Sequence, residues 1–164
     1  MAQRDMFLKI DGIKQGPIKG EANDLKHRDE IDVISWSWGM NNPGDAFTQV
    51  NSRTSFDQLR IVKLINRSTP ALMSALRHNE MIKQAVLSVR KAGGANPLDY
   101  FLITIEKARV TNHQVSGGEG SDSSILSEEI CFSFQKVRVE YVLQGKIGGG
   151  SGTSTFETAI NPNT

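Results

Sequence analysis

Three features of the sequence predict a mainly β domain with one helical cover. Apolar residues alternate with period two along most of the chain. The alternating segments are rich in β-branched and aromatic side chains, which suit a pleated, half-buried surface. One stretch alone, residues 68 to 79, switches to helical spacing.

The elements follow in order. "DMFLKID" (5 to 11) puts Met6, Leu8 and Ile10 on one face of a strand. "EIDVISWSWGM" (30 to 40) holds both tryptophans. As a strand it sets Ile34, Trp36 and Trp38 on one side and Ser35 and Ser37 on the other. Its apolar phase shifts, since Ile31 and Val33 precede Ile34. "SFDQLRIVKLIN" (55 to 66) carries apolar residues on both faces, with Leu59, Ile61 and Lys63 sharing one of them. In "STPALMSALRHN" (68 to 79), Ser68 or Thr69 is expected as N-cap, with Pro70 in the first turn and Leu72, Met73 and Leu76 on the apolar stripe. Further strands are expected over 85 to 92, 99 to 111 and 125 to 144. In the last of these, Ile130, Phe132 and Phe134 are out of phase with Val137, Val139, Tyr141 and Leu143. That requires a bulge or bend, expected at Gln135 and Lys136. Bends of this kind curl a sheet toward a barrel.

Long loops are expected at 12 to 29 and 41 to 53, and mobile Gly/Ser-rich connections at 116 to 124 and 145 to 154. No repeat or linker divides the chain. Residues 1–164 read as a single domain ending in a Gly/Ser-rich segment and tail, 145–164.

Composition narrows the function. A net charge of +1, with Lys and Arg scattered, forms no basic stripe for nucleic acid. Arg4, Asp5, Lys9 and Asp11 interrupt the apolar run that a signal peptide needs, and no apolar run is long enough to span a bilayer. The chain is therefore expected to be made in the cytoplasm. Cys131 is the only cysteine, so an internal disulfide is ruled out. Gly145-Lys146 is followed by Ile147, which breaks the phosphate-loop pattern. The three histidines are scattered, and His27 in "KHRDEID" reads as a solvated or interface residue. Catalytic, cofactor and metal residues are accordingly expected to be none.

"HRDEIDVISWSWGM" resembles the signature strand of the haemolysin-coregulated protein family, Hcp, the tube subunit of bacterial type VI secretion. The likeness continues through "DMFLKIDGI", "KGEANDLKH", "STPALMSAL", "AVLSVRKAGG", "DYFLITIEKARVTN" and "EEICFSFQKVRVEY". "QGPI" (15 to 18) is a departure in the first long loop. The resemblance implies a small barrel of two β-sheets with one flanking helix, six copies closing into a ring, and rings stacking into a tube. A contracting sheath expels the tube, with a spike at its tip, into a target cell, and the lumen carries effector proteins. No enzyme activity, cofactor, nucleic-acid partner or membrane insertion is implied.

Within that frame, Trp36 and Trp38 are expected to pack the core, each burying roughly 150–250 Å². Ser35 and Ser37 are expected to line the channel and meet effectors. His27, Arg28, Asp29 and Asp45 are expected in the ring-stacking loops. Strands with apolar residues on both faces also call for a partner, because one barrel has one interior. The competing readings are a phage or contractile-injection tail-tube protein, a monomeric ligand-binding β-barrel, and a hydrolase with a scattered site.

Overall fold

A computed structural model describes residues 5–42, 54–91, 98–118, 126–144 and 150–160. It contains strands β1 (Met6–Gly12), β2 (Gly16–Ile18), β3 (Ile31–Asp32), β4 (Ser35–Ser37), β5 (Met40–Asn41), β6 (Ser55–Phe56) and β7 (Leu59–Leu64). Helix α1 (Ser68–Arg77) follows, then β8 (Ile82–Arg90), β9 (Asp99–Gly117), β10 (Leu126–Gln144) and β11 (Gly150–Ala159). A large antiparallel sheet runs in the order β2-β1-β8-β9-β10-β7-β4, with β11 on β10 and β3 on β1. β5 and β6 form a second, two-stranded sheet.

Register explains the core. Leu8 pairs with Leu87, Leu87 with Ile103, and Ile103 with Val139, so one row of apolar side chains crosses four strands on the same face. Ile10, Ala85, Ile105 and Val137 form the next row, all buried. Ile61 and Ile130, then Leu59 and Phe132, extend the lining across β7 and β10. Leu72 and Ala75 of α1 complete the cluster. Each large aliphatic side chain buried this way contributes roughly 1.5–3 kcal/mol.

Residues 31–37 close the sheet on itself. β3 pairs with β1, at Leu8 and Ile31, while β4 pairs with β7, at Ile61 and Trp36. The transfer takes one peptide: Val33 N donates to Met6 O at 3.0 Å and Ile34 N donates to Val62 O at 2.8 Å. This is the phase shift visible in the sequence. Ile31 and Val33 point into the barrel, whereas Ile34 is exposed.

Several expectations need correction. Neither Ser68 nor Thr69 stands at the N-cap of α1; both are buried residues of its first turn, and Arg67 occupies the N-cap without a side-chain capping bond. Asn66 does the work instead. Its Oδ1 accepts from Ser68 N at 2.9 Å, while its own N–H donates to Thr69 Oγ1 at 3.2 Å. The face change expected on β10 is present at Gln135 and Lys136, both exposed between buried Phe134 and Val137, and Lys107 of β9 adopts a left-handed φ of 51° between the pairs Ala108–Phe134 and Glu106–Lys136. A further register shift, which was not expected, lies at Cys131 and Phe132. The segment 145 to 154 is not simply a connection, since Gly150 onward forms β11 against β10. The strand expected over 30 to 40 is three short ones, and β9 runs six residues beyond Thr111 to Gly117.

Candidate functional site

Among the described residues no group of acids, histidines or cysteines could hold a metal ion, and no described helix is long and apolar enough to cross a membrane. What the barrel does present is surface, in three distinct parts, over a buried ionic centre.

The first surface lies behind the tryptophans. Trp36 and Trp38 are half-buried and pack against the edge of the core. Trp36 stacks on Phe101, with ring centres 5.7 Å apart, and Trp38 leans on Phe134 and Phe56. Trp38 Nε1 donates to Asp57 O at 2.9 Å, which ties β4 to the small sheet. Ser35 and Ser37 face out, both exposed. Ser37 pairs with Arg60, Arg60 with Cys131 and Cys131 with Asn112; Ser35 pairs with Val62, Val62 with Glu129 and Glu129 with Gln114. Two rows of mostly small or polar groups therefore cross four strands. Arg60 bonds Glu129 at 2.8 Å, and that hydrogen bond holds the Glu129 carboxyl below its usual range.

The second surface is loop 19–30, folded over the outer side of Phe7. Here the expectations for stacking residues divide. Arg28 and Asp29 are exposed, with Asp29 paired to Arg67 at 2.9 Å. His27 is not solvated: it is 5% exposed, between Glu30 and Asp99. Asp45 lies outside the described residues. Beside this loop a depression is lined by Phe7, Glu21, Asp24, Leu25, Asp32 and Arg90.

The third surface was only half legible in the sequence. β10 outruns the barrel and takes β11 with it. Val139 pairs with Phe156, and Tyr141 with both Phe101 and Ser154, so the core face continues as an apolar strip. Tyr141, Leu143 and Phe156 are 42%, 48% and 42% exposed along it. The reverse face of the same strands is charged, with Lys136 bonding Glu157 at 2.7 Å and Arg138 bonding Glu140 at 3.0 Å. A Lys136 ammonium held by Glu157 rises above its ordinary pKa.

Beneath these surfaces, Lys63 and Glu128 are paired with no exposed side-chain area. Lys63 Nζ also donates to Leu64 O at 3.0 Å and to Asn66 Oδ1 at 3.3 Å. Thr69 Oγ1 donates to Glu128 Oε1 at 2.7 Å, and His113 Nε2 meets Glu128 Oε2. Burial pulls the Lys63 ammonium below its usual pKa, against the pull of Glu128. The network joins β7, β9 and β10 to the start of α1. The alternation of "LRIVKL" already pointed Lys63 inward; its partners, distant in sequence, had no local signal.

Both the sequence and the fold of this barrel match known proteins. Residues 7–141 match the family model described as "Type VI secretion system effector, Hcp". The chain belongs to the Hcp family. Protein hcp1 of Pseudomonas aeruginosa is 36% identical over 151 residues, covering 90% of this chain and 89% of that protein. The crystal structure of Hcp1 from Salmonella typhimurium superposes with a TM-score of 0.78 at 34% identity, covering 97% of this chain and 96% of that one. A type VI secretion system effector from Yersinia pestis gives 0.74 at 29%, over 95% of this chain and 100% of that one. As an Hcp-family member the chain is a structural, tube-forming protein of type VI secretion, and it is secreted by that system.

Proposed function

We propose that six copies of this subunit close into a ring, that rings stack into the tube, and that the tube carries effector proteins in its channel while a sheath drives it and a spike leads it. One observation carries the lateral contact: the apolar strip that continues the core face from half-buried Val139 to Tyr141, Leu143 and Phe156, the last three exposed among the described residues. A head-to-tail contact between this strip and a different patch on the next copy generates a ring when its rotation closes. The charged reverse face then stays in water.

The Ser35 and Ser37 rows are the proposed channel wall. They are exposed, lie on the opposite side of β4 from the tryptophans, and offer short hydroxyls, amides and one internally neutralised ion pair. Such a wall hydrogen-bonds cargo without a strong field of either sign. Arg28 and Asp29 on loop 19–30 are the proposed stacking contacts.

The test is electron microscopy and sedimentation of the wild-type protein beside Phe156→Asp. Annular particles for the first and lone subunits for the second are expected. Annuli from both would move the seam elsewhere; lone subunits from both would remove the ring. Ser37→Gln is expected to leave rings intact and lower effector retention, and unchanged retention would remove these serines from the channel wall.

A further inference from the structure

His27 sits where a neutral imidazole cannot satisfy its surroundings. Nδ1 is 3.0 Å from a Glu30 carboxylate oxygen, and Nε2 is 3.0 Å from the Asp99 carboxylate. Two ionised carboxylates only accept, so both contacts are hydrogen bonds only if both ring nitrogens carry protons. The ring also lies flat on Phe7, with centres 4.4 Å apart and planes 9° apart.

The contacts bridge separate parts of the chain. Glu30 belongs to the end of loop 19–30, Asp99 to the start of β9, and Phe7 to β1. Within the loop, Glu30 N donates to His27 O at 3.1 Å and Gly20 N to Asp29 O at 2.8 Å, so the segment is a compact unit fastened as one piece. Its other fastenings are Asp24, 2.7 Å from Arg90 Nη1 with Asp5 at 3.3 Å from Nη2, and Arg67, whose Nε donates to Gly20 O at 2.6 Å and whose Nη2 donates to Asp29 Oδ1 at 2.9 Å. The Arg90 guanidinium lies 5.2 Å from the centre of the Phe7 ring. The groups facing His27 are thus Glu30 and Asp24 from its own loop and Asp99 from β9. Arg90 of β8 is the cation paired with Asp24 and Asp5.

We propose that loop 19–30 is held on the barrel by a proton: the imidazolium of His27 latches it to Asp99, and loss of that proton releases it. Deprotonation leaves one ring nitrogen as a lone pair against a carboxylate and removes the cationic charge from both contacts, so the attachment to β9 weakens whichever tautomer remains. The hydrogen bond that the ring donates to Glu30, opposed by burial and joined by the one to Asp99, holds the imidazole above its ordinary pKa. The sign follows. The latch is fully engaged below the ordinary imidazole value of about 6.5. It fails as pH rises through the higher folded value, by up to about tenfold in the opening equilibrium per pH unit. Arginine stays charged across this range, so the fastenings to Arg90 and Arg67 persist and the loop loosens at the His27 contact with β9. The inference concerns the loop used in the stacking proposal and rests on that reading for its consequence, but its readout lies within one subunit.

The experiment is amide hydrogen exchange of residues 20–30, with intrinsic rates divided out, across pH 6 to 9, together with the NMR titration of the His27 ring. Expected are a His27 midpoint above the ordinary value and loop opening that inflects at the same pH. His27→Gln, which is neutral throughout, is expected to remove the inflection. Asp99→Asn, which keeps the histidine, is expected to move both midpoints down together and serves if the glutamine variant does not fold. Loop exchange with no inflection, or the same inflection in His27→Gln, would overturn the latch. Particle mass measured on the same samples reports the ring separately, so a failed ring and a failed latch give different results.

Discussion

At Lys63 the strand alternation delivers an ammonium into the barrel, and the fold answers with Glu128, Thr69, Asn66 and the Leu64 carbonyl. A buried pair of this kind loses more from the removal of one member than it contributes as a pair, because the remaining charge is left in a poor solvent. Lys63→Met is expected to lower unfolding stability by about 3–5 kcal/mol, measured by denaturant titration. Lys63→Met with Glu128→Gln is expected to recover much of that loss. Equal stabilities for the wild type and the single variant would mean that the pair is already solvated. His27 teaches the same lesson from the other side. In "KHRDEID" it looks like one more surface charge, and only the fold brings Asp99, 72 positions on, to its Nε2. Neither centre was legible locally, because each depends on contacts between segments far apart in the chain.

Among the elements, β1, β7, α1, β9 and β10 were readable because each carries a dense apolar period. β11 was not. "GSGTSTFETA" has Phe156 as its single large apolar residue, and it is a strand because β10 offers a complete row of backbone partners. The cap of α1 was misplaced for a related reason: Ser68 and Thr69 are good capping types, but Asn66 two residues earlier reaches Ser68 N first. Asn66→Ala is expected to cost about 1 kcal/mol by thermal or chemical unfolding. Loop 19–30 has its own steric condition. A Cβ on Gly20 would stand 2.5 Å from Glu30 O and 2.7 Å from Ile31 Cα. Gly20→Ala is expected to push the loop away from β3 and to cost about 1–3 kcal/mol, visible as faster amide exchange at Ala22 and Asp29.

Among the described residues the barrel has a closed interior and an apolar strip outside it that continues the core face. That division separates the two assembly steps. The lateral association proposed through Tyr141, Leu143 and Phe156 would be an apolar contact and should resist salt. The stacking proposed through Arg28 and Asp29 would be a contact between exposed charges, each worth about 0–1 kcal/mol and screened within about 10 Å at 0.1 M ionic strength. Raising the salt concentration is therefore expected to shorten tubes while leaving ring mass constant, as read by light scattering and microscopy. Arg28→Glu is expected to act in the same sense, and a fall in ring mass would place Arg28 in the lateral seam.

The crossing from β1 to β7 within residues 31–37 also bears on synthesis. β1 must find β8, with Met6 against Val89, and β4 reaches the rest of the wall only through β7 and β10. β10 in turn pairs with β9, which precedes it in the chain. A chain leaving the ribosome therefore carries open edges on β1 and β4 until β8, β9 and β10 have emerged, and the consecutive hairpins β8–β9 and β9–β10 then complete the wall. Barrel closure waits for β10, so the subunit is expected to depend on protection of β1 and β4 until then.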